Sequence, residues 1–484
     1  ASAVDDAHWM GADLARLDPE IGWPVTASPH PFRLTYRESP RPLISLIDDA
    51  AMLNERRVTR DDPPLTVPGM ANVTLDAEGR LLEFIRVPPQ REESIVQRAF
   101  DWTPFLGASG IDLSSLSSVS PSWTSPVDSD AKRAWEAKYP GGPGSIRIEA
   151  ASYHGQPVWF AMIMPWREPI GLEARPSPQW ETVVLLFNVL LILLLPVAAI
   201  LIIRRNFRRG REDVRGAVVL GVTVFVTLAL AAALRANHAA SLYEEWVVYS
   251  QLAIETFFFG VLSALFYFAA EPLVRRRWPE MLVSWSRLVA GRWRDPMIGR
   301  DLLIGVVAGL AVAAGSYLLV LMIDGPGHAL ALKAATPLGS VRHTGFFLLR
   351  GIAEGLIRAI GAAFLLVLLR GFVRKTWLTA VLATVICAAS ILYLGIGSET
   401  ARTVAAVLFA ATGVFILIRF GLIATAATAY VILILHWIPT TLDPSSWFFG
   451  RSLLAYGTLV VLGLIGFFLS LGEKSLFPKS IFEE

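Results

Sequence analysis

FLLRGIAEGLIRAIGAAFLLVLLR, residues 347–370, is the stretch that decides how the chain is read. From Ala359 to Leu369 it carries no charge, whereas its first half carries Arg350, Glu354 and Arg358, each four residues from the next. In an α-helix, i and i+4 side chains stack on one face, so the three form a single charged stripe. The apolar half matches the runs of about 20 residues that cross a hydrocarbon core of ~30 Å. The stretch therefore predicts a membrane helix with a charged seam.

Charges at bilayer depth face a bundle interior or a polar cavity and take partners there. The seam is predicted to point inward. With the span opening at Phe346, Arg350 can snorkel to the outer surface, whereas Arg358, two helical turns deeper, cannot. Glu354 can serve either arginine, which calls for a second carboxylate. Glu255, about eight residues into another apolar run, is the candidate. Arg350, Glu354, Arg358 and Glu255 thus form the candidate intramembrane network. It reads first as an ion network that fixes helix register, and second as a signalling or transport element.

The rest of the chain agrees with a membrane reading. Of 484 residues 54% are hydrophobic and only 17% charged, where a soluble protein carries about a quarter. Up to residue 179 the sequence is ordinary and acidic, with 24 Asp and Glu against 17 Lys and Arg, a net of −7. The remainder holds 17 against 26, a net of +9. Nothing in this balance calls for nucleic acid. The single cysteine, Cys387, excludes an internal disulfide.

Nine apolar spans are predicted, at 183–203, 216–234, 247–270, 302–323, 346–369, 377–394, 403–418, 422–438 and 453–471, the seventh being short. The loop RRNFRRGREDVR (204–215) holds six arginines and the loop at 271–300 holds seven. RGFVRK (370–375) and the tail with Lys474 and Lys479 are basic too, whereas the alternate loops are nearly free of Lys and Arg. The positive-inside rule then places the basic loops in the cytoplasm, the N-terminal region outside and the C-terminus, 472–484, inside. Within 271–300, WPEMLVSWSRLVAGRW reads as an amphipathic connector in the headgroup layer. Arg419 is a topology anchor at a cytoplasmic turn. Arg235, Glu244 and Glu245 are the other charges near membrane depth.

Residues 1–175 alternate short apolar runs with turns. In ANVTLDAEGRLLEFIRVPP (71–89), Val73, Leu75, Leu82 and Phe84 flank a Gly-bearing hairpin turn. GSIRIEAASYHGQPVWFAMIMPW (144–166) repeats the plan around YHGQP. Two related halves, about 1–113 and 131–175, are expected, joined by a linker at 114–130. The fold class is α+β: a β-rich extracytoplasmic domain at 1–175, followed by an all-α transmembrane bundle of about nine helices at 183–471.

Several stretches carry a resemblance. TYRESPRPL (35–43), DDPPLTVPGMANVTLDAEGRL (61–81), EPLVRRRWPEMLVSWSRLVAGRWRDPMIGRDLLIG (271–305) and IRFGLIATAATAYVILILHWIPTTLDPSSWFFGRSLLAYG (418–457) resemble acidobacterial receptor-type Ser/Thr protein kinases. The resemblance implies a cytoplasmic kinase domain and a first span ahead of this region, in the bacterial inner membrane. It also implies an outer ligand, a possible homodimer, and ATP and Mg as cofactors of the kinase alone. The sequence itself has no glycine-rich phosphate loop, no HRD catalytic loop and no DFG turn, so no catalytic, cofactor or metal residue is assigned. The chain opens ASAVDDAHWM, without an initiator Met or a signal segment, and reads as processed or as a piece of a longer protein.

Two other readings compete. A transporter or channel would suit intramembrane Arg and Glu, but no repeat or broken-helix pair supports it. An intramembrane enzyme would use Glu354, Arg358 and His436, which resemble the motifs of CAAX-processing proteases. Ala353 and Ile432 stand where that pattern has Glu and Phe, however, and a second histidine helix is missing. His8, His30, His154, His238, His328, His343 and His436 show no metal-ligand spacing.

Overall fold

The computed structural model describes residues 2–9, 32–43, 58, 60–76, 78–91, 99–138, 145–164, 179–206, 213–236, 242–324, 341–392, 398–446 and 448–472. It divides into two compact units, one built on residues 1–174 and one on the helices that follow.

Eight strands form one antiparallel sheet in the first unit: β1 (Ser2–Trp9), β2 (Phe32–Ser39), β3 (Ala71–Asp76), β4 (Leu81–Arg86), β5 (Ser117–Val119), β6 (Ala131–Lys138), β7 (Ser145–Tyr153) and β8 (Gln156–Ile163). Their order is β1-β2-β3-β4-β8-β7-β6-β5, two four-stranded meanders that meet where their last strands pair, Phe84 opposite Phe160. The DAEGR turn closes β3–β4, with Gly79 at φ 80°, and His154-Gly155 closes β7–β8, both at positive φ. The segment 114–130 is more than a linker. It opens with a 3₁₀ turn at Leu113–Ser115 and supplies β5 as the sheet's edge. Its Ser122 amide then donates to Glu149 at 2.9 Å.

Apolar side chains at alternate positions give the sheet a core on one face. Ile146, Ile148, Phe160 and Met162 pack there with Val73, Leu75, Leu82 and Phe84. The short helix α1 (Thr103–Ala108) covers them with Phe105, whose ring meets Phe84 at 5.3 Å and Trp102 at 5.5 Å, edge to face. The opposite face of β2–β3 carries Thr35, Arg37, Asn72 and Thr74, yet these are buried. Residues 60–63 supply the partners that make this tolerable. Arg37 donates to the Pro63 carbonyl, and Asn72 donates to the Arg60 carbonyl at 3.3 Å.

The second unit is helical: α2 (Gln179–Asn206), α3 (Val214–Arg235), α4 (Leu242–Arg277), the short α5 (Val283–Val289), α6 (Pro296–Asp324), α7 (Val341–Phe372), α8 (Thr376–Ile391), α9 (Glu399–Phe420), α10 (Leu422–Trp437) and α11 (Phe449–Leu471). Seven of these are long and apolar enough to cross a membrane. The other two long ones, α8 and α10, are apolar but have 16 residues each, about 24 Å at 1.5 Å per residue. The short helices are thus the sixth and eighth of the run. The seventh, expected to be short, has 22 residues. The fifth begins at Val341 rather than Phe346. The tail beyond Gly472 lies outside the described residues.

Packing contacts fix relative directions. The rings of Phe266 (α4) and Phe364 (α7) stack 4.8 Å apart, and Arg277 donates to the Arg370 carbonyl, so α4 and α7 run parallel. Glycines show the close approaches. A Cβ added at Gly309 (α6) would lie 2.6 Å from the Val431 Cβ of α10, and one at Gly355 (α7) would lie 2.6 Å from the Ala426 carbonyl oxygen. Together with Gly305 and Gly351 they form two G-x-x-x-G faces, one on each side of α10. Residues 305 and 309 of α6 follow 424 and 431 in order, so α6 and α10 are parallel. On α7, residue 351 faces Tyr430 and 355 faces Ala426, so α7 and α10 are antiparallel. Gly421, at φ 90°, is the entire connection between α9 and α10.

The 271–300 connector folds as a 3₁₀ turn at Pro279–Leu282 followed by α5. Its tryptophans divide: Trp285 is buried, whereas Trp293 is exposed under the Arg294 guanidinium. Arg287 holds both oxygens of Asp295 at 2.8 Å. Burial pushes the Asp295 carboxyl up, but the Met297 amide and Arg287 outweigh it and hold the group below its usual value.

Candidate functional site

The charged seam forms because α7 is continuous through Gly351 and Gly355, which keeps the i, i+4 stripe in register. Glu354 Oε1 lies 3.4 Å from Arg350 Nη2, and its Oε2 lies 3.0 Å from Arg358 Nη2. The Glu354 side chain is 14% exposed, Arg350 16% and Arg358 28%. Arg350 points toward the N-terminal end of α7, where aromatic rings meet it. It lies nine residues inside α7, its guanidinium 5.3 Å from the Trp437 ring of α10 and 5.6 Å from the Phe346 ring. An aromatic face attracts a cation and replaces part of its lost hydration.

Glu255 is half-buried on α4. It precedes Phe266 by eleven residues and Glu354 precedes Phe364 by ten, so the stacked rings place the two residues at similar levels along these parallel helices. The other charges scatter. Arg419 is exposed in the last turn of α9 and Arg235 closes α3. The side chain of Glu244 lies outside the described residues.

At its inner end the seam opens on a cavity of about 260 Å³. Leu191 and Leu195 of α2 line it, with Gly361, Ala362 and Leu365 of α7, Ile386 and Cys387 of α8, Phe409, Ala410 and Gly413 of α9, and Thr425 through His436 of α10. Arg358 and His436 are its ionisable lining groups besides Cys387. The site thus brings Arg358 and His436 to one cavity, while His436 also adjoins Trp437 near the end of α10. Separate sequence motifs gave no sign of the cavity. The available signal was the run of small residues on facing helices, Gly361-Ala362, Ala410 with Gly413, and Ala429, which leaves space where larger side chains would fill it.

The hydroxyls on the walls look back to their own helices. Thr425 donates to the Gly421 carbonyl at 2.9 Å, Thr428 to the Ala424 carbonyl at 2.9 Å, and Ser390 to the Cys387 carbonyl at 2.8 Å. Among the described residues no three His, Cys, Asp or Glu side chains gather as metal ligands. His30, His238 and His328 lie outside those residues. The chemistry on display is a cation set in an apolar chamber. No family model, curated protein or solved structure matches the chain.

Proposed function

We propose that the chain is the membrane-embedded sensory and anchoring region of a receptor-type Ser/Thr protein kinase. In this reading the β-sheet unit is extracytoplasmic and receives a ligand or partner. Nine helices cross the bacterial inner membrane, α8 and α10 included, and the bundle relays the bound state to a kinase domain on the cytoplasmic side. The observation that carries the reading is the match between charge and direction. The basic loops follow α2, α4, α7 and α11, and α4 and α7 run parallel. With α2 and α11 read in the same direction, the basic loops fall on one side of the bundle, the side that the positive-inside rule assigns to the cytoplasm.

The reading also uses the resemblance of the 61–81, 271–305 and 418–457 stretches to such kinases, which spans both units. ATP and Mg belong to the kinase domain, and the partners of this region are the bilayer, an outer ligand and a second copy of the chain. The test is the parent reading frame and its topology together. A kinase domain encoded ahead of Ala1, followed by one further span, is the expected result. A parent frame without one overturns the proposal. The cavity favours a second reading, a carrier for an amphiphilic solute. Uptake of labelled solute by reconstituted protein would replace sensing by transport.

A further inference from the structure

We propose that the pocket at the bend between α4 and α5 binds an anionic glycerophospholipid, whose phosphate is held by the arginines that line it. This goes beyond the sensory reading and stands whether or not a kinase lies upstream. The pocket has a volume of about 470 Å³ and lies wholly within the 271–300 connector. Three segments each bring one arginine to it: Arg275 from the last turn of α4, Arg287 from α5, and Arg292 from the turn that follows. Leu282, Val283 and Ala290 supply an apolar wall beside them. A concave surface that sets guanidiniums next to aliphatic side chains fits a ligand that is anionic at one end and hydrocarbon at the other.

Charge and geometry select the phosphate. The connector carries seven arginines against Glu271, Glu280 and Asp295, a net of +4. Two of the pocket's arginines are tethered by carboxylates. Glu271 takes Arg275 Nε, and both oxygens of Asp295 take Arg287 Nη1 at 2.8 Å. These pairs fix the side chains without enclosing them: Arg275 is 51% exposed and Arg287 40%. Arg292 is exposed too, and Ser286 adds a hydroxyl to the same wall. A guanidinium is a planar fork of donors that matches two phosphate oxygens, and one already held in position loses less freedom when a ligand arrives.

Depth favours a lipid over a free phosphate. The apolar run of α4 ends at Ala270, and Arg275 follows five residues later, about 7 Å along the helix. A bilayer with ~30 Å of hydrocarbon and about 40–45 Å in all gives each headgroup layer roughly that thickness. Trp293, exposed beneath the Arg294 guanidinium, is the residue type that settles at this interface. The pocket's arginines thus stand at the level of the lipid phosphates, and basic pockets beside spanning helices take anionic headgroups there.

The experiment titrates the whole chain, in a non-ionic detergent, with dioctanoyl phosphatidylglycerol and follows its thermal transition. A saturable rise is expected. Dioctanoyl phosphatidylcholine should need at least a tenfold higher concentration for the same rise, and glycerol 3-phosphate should give none. Arg292→Gln and Ala290→Phe change exposed positions, so each should keep the parent's transition in the absence of lipid. Arg292→Gln should weaken the response to phosphatidylglycerol about fivefold, and Ala290→Phe, which places bulk in the pocket, at least tenfold. Arg204→Gln with Arg205→Gln removes two charges from the end of α2 and should change the response less than twofold. Equal responses to the two lipids overturn the proposal, as does a response unchanged in both Arg292→Gln and Ala290→Phe. A loss as large in the Arg204 and Arg205 pair overturns it by making the attraction one of diffuse charge. A rise with glycerol 3-phosphate equal to that with phosphatidylglycerol overturns it by assigning the pocket to a soluble phosphate.

Discussion

Replacing Glu354 tests whether the seam holds the bundle together. Two guanidiniums flank one carboxylate at 3.0 Å and 3.4 Å. With charge centres about 4 Å apart and an effective dielectric constant near 20, each attraction has a gross size of about 4 kcal/mol. Arg350 and Arg358 are eight residues, about 12 Å, apart, and repel each other by about 1.4 kcal/mol on the same scale. Dehydrating the three groups offsets much of the gain. The cost of removing one partner is therefore better taken from buried pairs that have been broken, about 3–5 kcal/mol. Glu354→Gln loses both attractions and keeps the repulsion, so it should reach that range. Arg358→Met loses one attraction and leaves a neutral pair, so it should cost less. Unfolding of the purified protein in mixed micelles gives both values, and the double variant gives their coupling. The double variant should be less destabilised than the sum of the singles. Equal costs for the two singles would mean that a second carboxylate, with Glu255 at a similar level, completes the seam. A Glu354→Gln protein as stable as the parent refutes the reasoning.

Other outcomes follow from the same structure. Gly355→Val drives a Cβ against the Ala426 carbonyl oxygen at 2.6 Å, where only backbone can yield, and should cost about 1–3 kcal/mol by the same micellar assay. In a Cys387→Ala background, single cysteines at the exposed Ser118 and Ala290 should react oppositely with an impermeant thiol reagent added outside cells; equal labelling defeats the orientation. Residues 1–174 expressed alone should give a strand-dominated circular dichroism spectrum and a cooperative thermal transition; a helical or unfolded spectrum defeats the β-sheet unit. In that fragment the Thr103 side chain and amide hold Asp101 below its usual value of 3.8, and the Ser114 amide does the same for Asp112. A depressed carboxylate contributes stability above its unfolded value and loses it as the pH falls through the folded one. The transition temperature should therefore drop below about pH 4, and Asp101→Asn should flatten part of that drop.

Local pattern carried the sequence reading a long way. Spans of twenty apolar residues have few alternatives, and period-two alternation with glycine turns fixes hairpins such as β3–β4. The i, i+4 spacing of Arg350, Glu354 and Arg358 survives folding because a helix conserves it by construction. What escaped the reading depended on neighbours distant in sequence. The Trp437 ring that meets the Arg350 guanidinium stands 87 residues later, so local pattern could not name it as a companion. The burial of Arg37, Asn72 and Thr74 depends on residues 60–63, a cover with no regular period to announce it. The edge strand in 114–130 was read as linker because it has only three residues and is rich in serine. The cavity is a space between five helices, and no one of them encodes it.

The short helix α10 ties these features together. At about 24 Å it falls short of a ~30 Å hydrocarbon core, a mismatch that lipid would resist if the helix faced it. Ten of its sixteen side chains are instead buried, so protein absorbs the difference. Two of its faces are held by the glycine pairs of α6 and α7, where backbones meet too closely to slide without losing contact on both sides. The face that remains, with Thr425, Thr428, Ile432 and His436, forms the cavity wall. The opposite walls are softer. Between α8 and α9 the packing relies on Ala388, Ala406 and Ala410 with Cys387 and Ile391, small side chains that form few contacts apiece. The cavity thus lies between an α10 held by close backbone contacts on two faces and an α8–α9 pair joined through small side chains.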